Sequence, residues 1–87
     1  MKKGNNWAFI KENDKWGYID KNGNMAIPPK WKTVTSFSED LAFVQDFDDK
    51  WGCIDKKGNI VIPCKYNTEI EVSLRVKMRT LIKKNKK

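Results

Sequence analysis

From Trp7 to Tyr66 the apolar residues fall in short runs, each closed off by Asp, Asn, Lys or Gly. "WGYI" and "MAIP" stand on either side of "DKNGN", and "WGCI" and "IVIP" on either side of "DKKGN". Runs of this kind, rich in Ile, Val and aromatic residues and bounded by turn formers, predict strands. In "CIDKKGNIVIP" the two runs flank Lys56, Lys57 and Gly58, which reads as a three-residue hairpin loop ending in a left-handed residue. Glycine takes that conformation without penalty, which accounts for Gly58 and, in the earlier run, Gly23. Asp55 then closes the loop opposite Asn59, and Asp20 opposite Asn24. Extending the pairing sets Ile54 against Ile60 and Gly52 against Ile62. Because the side-chain period is two, one face then carries Gly52, Ile54, Ile60 and Ile62, and the other Trp51, Cys53, Val61 and Pro63. The earlier hairpin sorts into Gly17, Ile19, Met25 and Ile27 against Trp16, Tyr18, Ala26 and Pro28. Neither face is polar, so each hairpin needs cover on both sides, as stacked units of a repeat provide.

The two hairpins are copies of one another. "DKWGYIDKNGNMAIPPKW" returns as "DKWGCIDKKGNIVIPCKY", with every matched pair 35 residues apart from Trp16 and Trp51 through Lys30 and Lys65. Trp31 is answered by Tyr66, which keeps an aromatic. Upstream, "WAFIKENDKWG" resembles "LAFVQDFDDKWG" with one residue of slip. A fixed period of this length marks a repeat architecture, and the expected fold is all-β, built from about two antiparallel hairpin units. Between the copies, Thr33 to Phe37 and Leu41 to Phe47 predict strands joined by a Ser-Glu-Asp turn.

After Tyr66 the pattern stops. "IEVSLRVKM" alternates apolar and polar residues, which predicts a half-buried strand; Ile70, Leu74 and Met78, with Leu81 and Ile82, also suit one face of a short helix. The strand is the preferred reading, and in either form the segment would cap an open end of the array. "KKNKK", Lys83 to Lys87, is expected to be disordered. The division is therefore a repeat array over 1–66 and a basic cap and tail over 67–87.

Charge sharpens that boundary. The net charge is +7, and it is carried almost wholly beyond residue 64. The chain has no histidine, the commonest general base and metal ligand, and only two cysteines. In the expected register Cys53 faces Val61 and Cys64 points to the other face, so thiols are expected rather than a disulfide. "DKNGN" begins like a calcium loop but has Met25 and Trp31 where such a loop needs glycine and glutamate. Asp46, Asp48 and Asp49 read as a solvated turn. No phosphate loop, recurring carboxylate pair or base for a cysteine nucleophile is present, so catalysis, cofactor and metal are not expected. The start lacks the apolar stretch of a signal peptide, and no apolar run approaches the roughly 18 residues of a span, so a soluble cytoplasmic protein with no membrane partner is expected.

These residues resemble the bacterial WG-repeat family. The resemblance rests on "KWGYIDKNGNMAIPPKW", "FSEDLAFV" and "KWGCIDKKGNIVIPCKY" and covers Trp7 to Tyr66. The repeat residues that carry it are Trp16, Gly17, Ile19, Asp20, Gly23, Ile27 and Pro28, then Trp51, Gly52, Ile54, Asp55, Gly58, Ile62 and Pro63. Asp40 stands where the family usually has glycine. The resemblance implies a β-rich interaction module, often part of a long array, with no shared catalytic residues. The function expected is thus protein–protein interaction, with another protein or with a second copy as a homo-oligomer. Exposed aromatic and arginine anchors would be Trp31, Phe47, Tyr66 and Arg75. The alternatives are nucleic acid held by the basic tail, where Arg75, Lys77 and Arg79 lie, or carbohydrate stacked on exposed Trp and Tyr.

Overall fold

The computed structural model describes residues 7–85, and the side chains of 7–79. The described residues form seven strands and a helix. Strands β1 (Ala8–Glu12), β2 (Lys15–Ile19) and β3 (Met25–Trp31) form one antiparallel sheet in that order. Strands β4 (Thr33–Val34), β5 (Leu41–Gln45), β6 (Trp51–Asp55) and β7 (Ile60–Tyr66) form a second, and helix α1 (Glu69–Asn85) follows. The first unit is β1–β3 and the second β5–β7, as the repeat predicts.

Loop chemistry sets the hairpins. Asp55 N–H donates to the Asn59 carbonyl, Gly58 N–H donates to the Asp55 carbonyl, and Gly58 has φ +87°. The Asp55 carboxylate accepts the N–H groups of Lys57 and Asn59. The Asn59 N–H, first among several donors, holds the Asp55 carboxyl below the usual carboxylate range. The first copy repeats this with Asp20, Asn22, Asn24 and Gly23. The turn between β5 and β6 uses the same device: Asp46 accepts from the N–H of Asp48 and Lys50, and Asp49 takes the left-handed position at φ 66°. That acidic cluster is a turn, as expected.

The register departs from expectation at two steps in each unit, on either side of Tyr18 in the first and of Cys53 in the second. Ile54 does pair with Ile60, but Ile62 lies opposite Cys53 rather than Gly52, and Trp51 opposite Tyr66. The longer strand bulges past the glycine: a Cβ on Gly52 would sit 2.5 Å from the Ile62 carbonyl oxygen and 2.8 Å from the Cys64 nitrogen. Gly17 makes the same close approach to Ile27 and Pro29. Proline has no N–H for a ladder and is at home in a bulge, which suits Pro28 and Pro63 here. The bulge re-sorts the faces. Cys53 now shares a face with Ile62, while Ile54 turns to the opposite one. The Cys53–Val61 pairing falls with it, though both cysteines are free thiols as expected.

Two cores result. Tyr18, Ile27, Trp31 and Phe37 of the first unit and its linker meet Ala42, Val44 and Ile54 of the second. The Tyr18 hydroxyl, buried here, donates to the Thr35 carbonyl at 2.6 Å. The other face of the second sheet, with Cys53 and Ile62, is covered by Val72 and Val76 of α1.

The segment after Tyr66 is a helix, so the strand preference is corrected. Thr68 and Glu71 form a capping box: Thr68 Oγ1 accepts the Glu71 N–H, and Glu71 Oε1 accepts the N–H of Asn67 and Thr68. Its seated face is also corrected. Val72 and Val76 point inward, whereas Ile70, Leu74 and Met78 lie exposed; Leu81 and Ile82 have side chains outside the described residues. The helix runs through 85, so disorder from Lys83 is corrected that far, and residues 86–87 lie outside the described residues, as do 1–6, on which the reading of the leader rests.

Candidate functional site

The expected anchors do not converge. Trp31 is 5% exposed and fills the core between the sheets, which corrects its reading as a surface anchor. Its Nε1–H is buried without a partner, and Lys30 lies over its ring at 5.4 Å. Phe47 is 54% exposed in the turn after β5. Tyr66 is half-buried and takes two cations on its ring, Arg75 at 5.5 Å and Lys65 at 5.8 Å. Tyr66 and Arg75 are the only two of the group that the structure brings together, in a shallow groove of about 290 Å³ with Glu71, Leu74 and Met78. Lys77 lines a different cleft, of about 400 Å³, between the β4–β5 hairpin and α1. Arg79 is exposed on the helix.

Nor do the groups suited to chemistry assemble. Among the described residues no group of three His, Cys, Asp or Glu could hold a metal ion. Burial pushes both thiols up to about 11, so neither is a poised nucleophile. Burial likewise raises the Tyr18 phenol. No described helix is long and apolar enough to cross a membrane.

A surface emerges when the two units are superposed residue by residue. The inner face of the first unit, with Trp7, Tyr18, Ala26, Ile27 and Trp31, recurs in the second as Leu41, Cys53, Val61, Ile62 and Tyr66. What meets the first inner face is the back of the second sheet: Ala42 at 2% exposure, Val44 and Ile54 at 0%, with Cys64 beside them. The counterparts of those residues on the back of the first sheet are Ala8, Ile10, Ile19 and Pro29. Ala8 is exposed, the other three are half-buried, and none belongs to either core. Ile10 lies opposite Gly17 just as Val44 lies opposite Gly52. One apolar face is thus used in the second unit and uncovered among the described residues in the first.

A family model for the WG containing repeat matches residues 16–51 and again 51–68. The chain belongs to the WG-repeat family. The matches begin at the two Trp-Gly pairs, Trp16-Gly17 and Trp51-Gly52, whose glycines admit the bulged strand. No curated protein and no solved structure matches the chain. The WG repeat is thereby established as the architecture, and the role of its uncovered face is a separate question.

Aromatic and arginine residues, the usual signals of an interface anchor, do not mark this face. The signal was present: "WAFIKEN" against "LAFVQDF" already aligns Ala8 with Ala42 and Ile10 with Val44.

Proposed function

We propose that this WG-repeat chain is a non-catalytic protein–protein interaction module that associates with a second copy of itself through the back of its first sheet. One observation carries the reading: Ala8, Ile10 and Ile19 repeat the positions of Ala42, Val44 and Ile54, which are buried between units, yet are themselves left outside both cores. An apolar sheet face of this kind gains by being covered, because burial yields about 25 cal/mol per Å² of apolar surface. Two free thiols fit a reducing compartment, and we place the module in the cytoplasm. No cofactor enters the reading.

Light scattering across a concentration series tests it. The expected mass exceeds 10.2 kDa, rises with concentration, and persists between about 0.15 M and about 1 M salt, since an apolar contact is not screened. Ile10→Lys should return the monomer. A monomer at every concentration would refute self-association.

A further inference from the structure

Helix α1 sits where a third unit would sit. The inner face of the first unit holds the back of the second sheet; the inner face of the second unit, built from the equivalent positions, holds Val72 and Val76 instead. Even the linker corresponds, since Phe37, which closes the first core, and Val72, which closes the second, are both reached by the chain just after the last strand of a unit. The two ends of the molecule are therefore complementary to each other. The back of the first sheet, uncovered among the described residues, is a copy of what docks between units, and the inner face of the second unit is a copy of what receives it, occupied by the helix.

We infer that α1 is an exchangeable cap, and that two copies join head to tail when it leaves: the back of one copy's first sheet, through Ala8, Ile10 and Ile19, takes the seat on Cys53, Ile62 and Tyr66 of the next. This rests on the self-association proposed above and adds its geometry and its regulation. A head-to-tail contact repeats with each added copy, so it builds open chains or rings rather than a closed dimer. Units in such arrays interact mainly with their immediate neighbours, so one contact suffices to add one copy. The helix is a removable occupant by its construction. It enters the seat chiefly through two valines, one turn apart, and leaves Ile70, Leu74 and Met78 exposed. The strands of the second unit, by contrast, are tied to one another by an unbroken β5–β6 ladder and a bulged β6–β7 ladder. The seat is also smaller than its counterpart, with Cys53 for Tyr18 and Tyr66 for Trp31, so a copy arriving there is held less tightly than the internal neighbour.

The test uses the full chain and two ways of releasing the helix. Val72→Lys puts a charge into the seat, and Thr68→Ala with Glu71→Ala removes the capping box without touching the core. Circular dichroism and tryptophan fluorescence confirm that the sheets persist; if Val72→Lys unfolds them, the capping-box variant carries the test. Light scattering should show association at least tenfold stronger than in the parent chain, with masses beyond a dimer, and adding Ile10→Lys should abolish it. If the parent associates through Ile10 but release of the helix does not strengthen it, copies pair back to back: the inference fails and the proposed function stands. If released chains associate but ignore Ile10→Lys, the exposed seat is merely adhesive and the inference fails. If no form associates, both fail.

Discussion

Replacing Val72 by alanine measures whether α1 is seated on the second sheet, because the same helix supplies its own control in Leu74. Val72 is 0% exposed and packed with Cys53 and Ile62, while Leu74 is 56% exposed. Val72→Ala removes two buried carbon groups, about 1.6 kcal/mol at 0.8 per group. An incompletely collapsed cavity adds roughly 0.5–1 kcal/mol. Alanine is the better helix former by about 0.5 kcal/mol, which offsets part of this. The expected net loss is about 1.5–2 kcal/mol, or a fall in Tm of roughly 6–16 °C for a domain of this size. Leu74→Ala loses mostly hydrated surface and gains slightly in propensity, so its change should stay within about 0.5 kcal/mol. Urea unfolding followed by tryptophan fluorescence reads both. Equal effects at 72 and 74 would refute the seating. A larger loss at 74 would return the helix to the Ile70–Leu74–Met78 face that its spacing first suggested.

Other consequences follow from the turns, the bulge and the thiols. Asp40 takes φ 69° in the β4–β5 turn, a left-handed position costing about 1–2 kcal/mol for a residue with a side chain. Asp40→Gly relieves this, loses about 0.5–1 kcal/mol to unfolded-chain entropy, and should stabilise by about 0.5–1 kcal/mol in the same urea titration. Gly52→Ala forces a Cβ to within 2.5 Å of the Ile62 carbonyl oxygen and should destabilise by about 1–3 kcal/mol; a neutral result would mean that the bulge is not obligatory. The thiols of Cys53 and Cys64 are raised by burial from 9.0 to about 11, so the unfolded chain ionises first. Their contribution to stability is therefore full below pH 9 and is lost as pH rises toward 11, and alkylation of the native protein should stay slow until that window. Rapid native alkylation at neutral pH would contradict the burial.

What could be read from the sequence was whatever local chemistry decides. The period of 35, the hairpins, and the left-handed glycines Gly23 and Gly58 all follow from residues within one loop or one copy. The helix is legible too, but through its cap rather than its periodicity. Alternation in "IEVSLRVKM" favours a strand, whereas Thr68 and Glu71 are spaced as a capping box and outweigh it, because two N–H groups at the helix start find partners that a strand would not give them. The bulge was not legible, since it arises where one strand crosses the glycine of another, and the extra residues on the longer strand shift every side chain beyond it.

That shift decides which residues form the surface. Moving the register by one residue exchanges the two faces of a strand, so the shift between Ile54 and Cys53 brings Ile62 onto the Cys53 face and sets which residues the two units press together. Large aromatic residues then mislead in a consistent direction. In a chain of thin stacked sheets the space between units is deep enough for them, so Tyr18 and Trp31 go there, and the face left uncovered among the described residues carries Ala8, Ile10 and Ile19. A surface that adds one more unit must look like the back of the units already joined, and in this chain that back is small and aliphatic. For a repeat protein, the residues to suspect at an open end are therefore the counterparts of those buried between neighbours, whatever their side-chain type, and only the register of the hairpin identifies them.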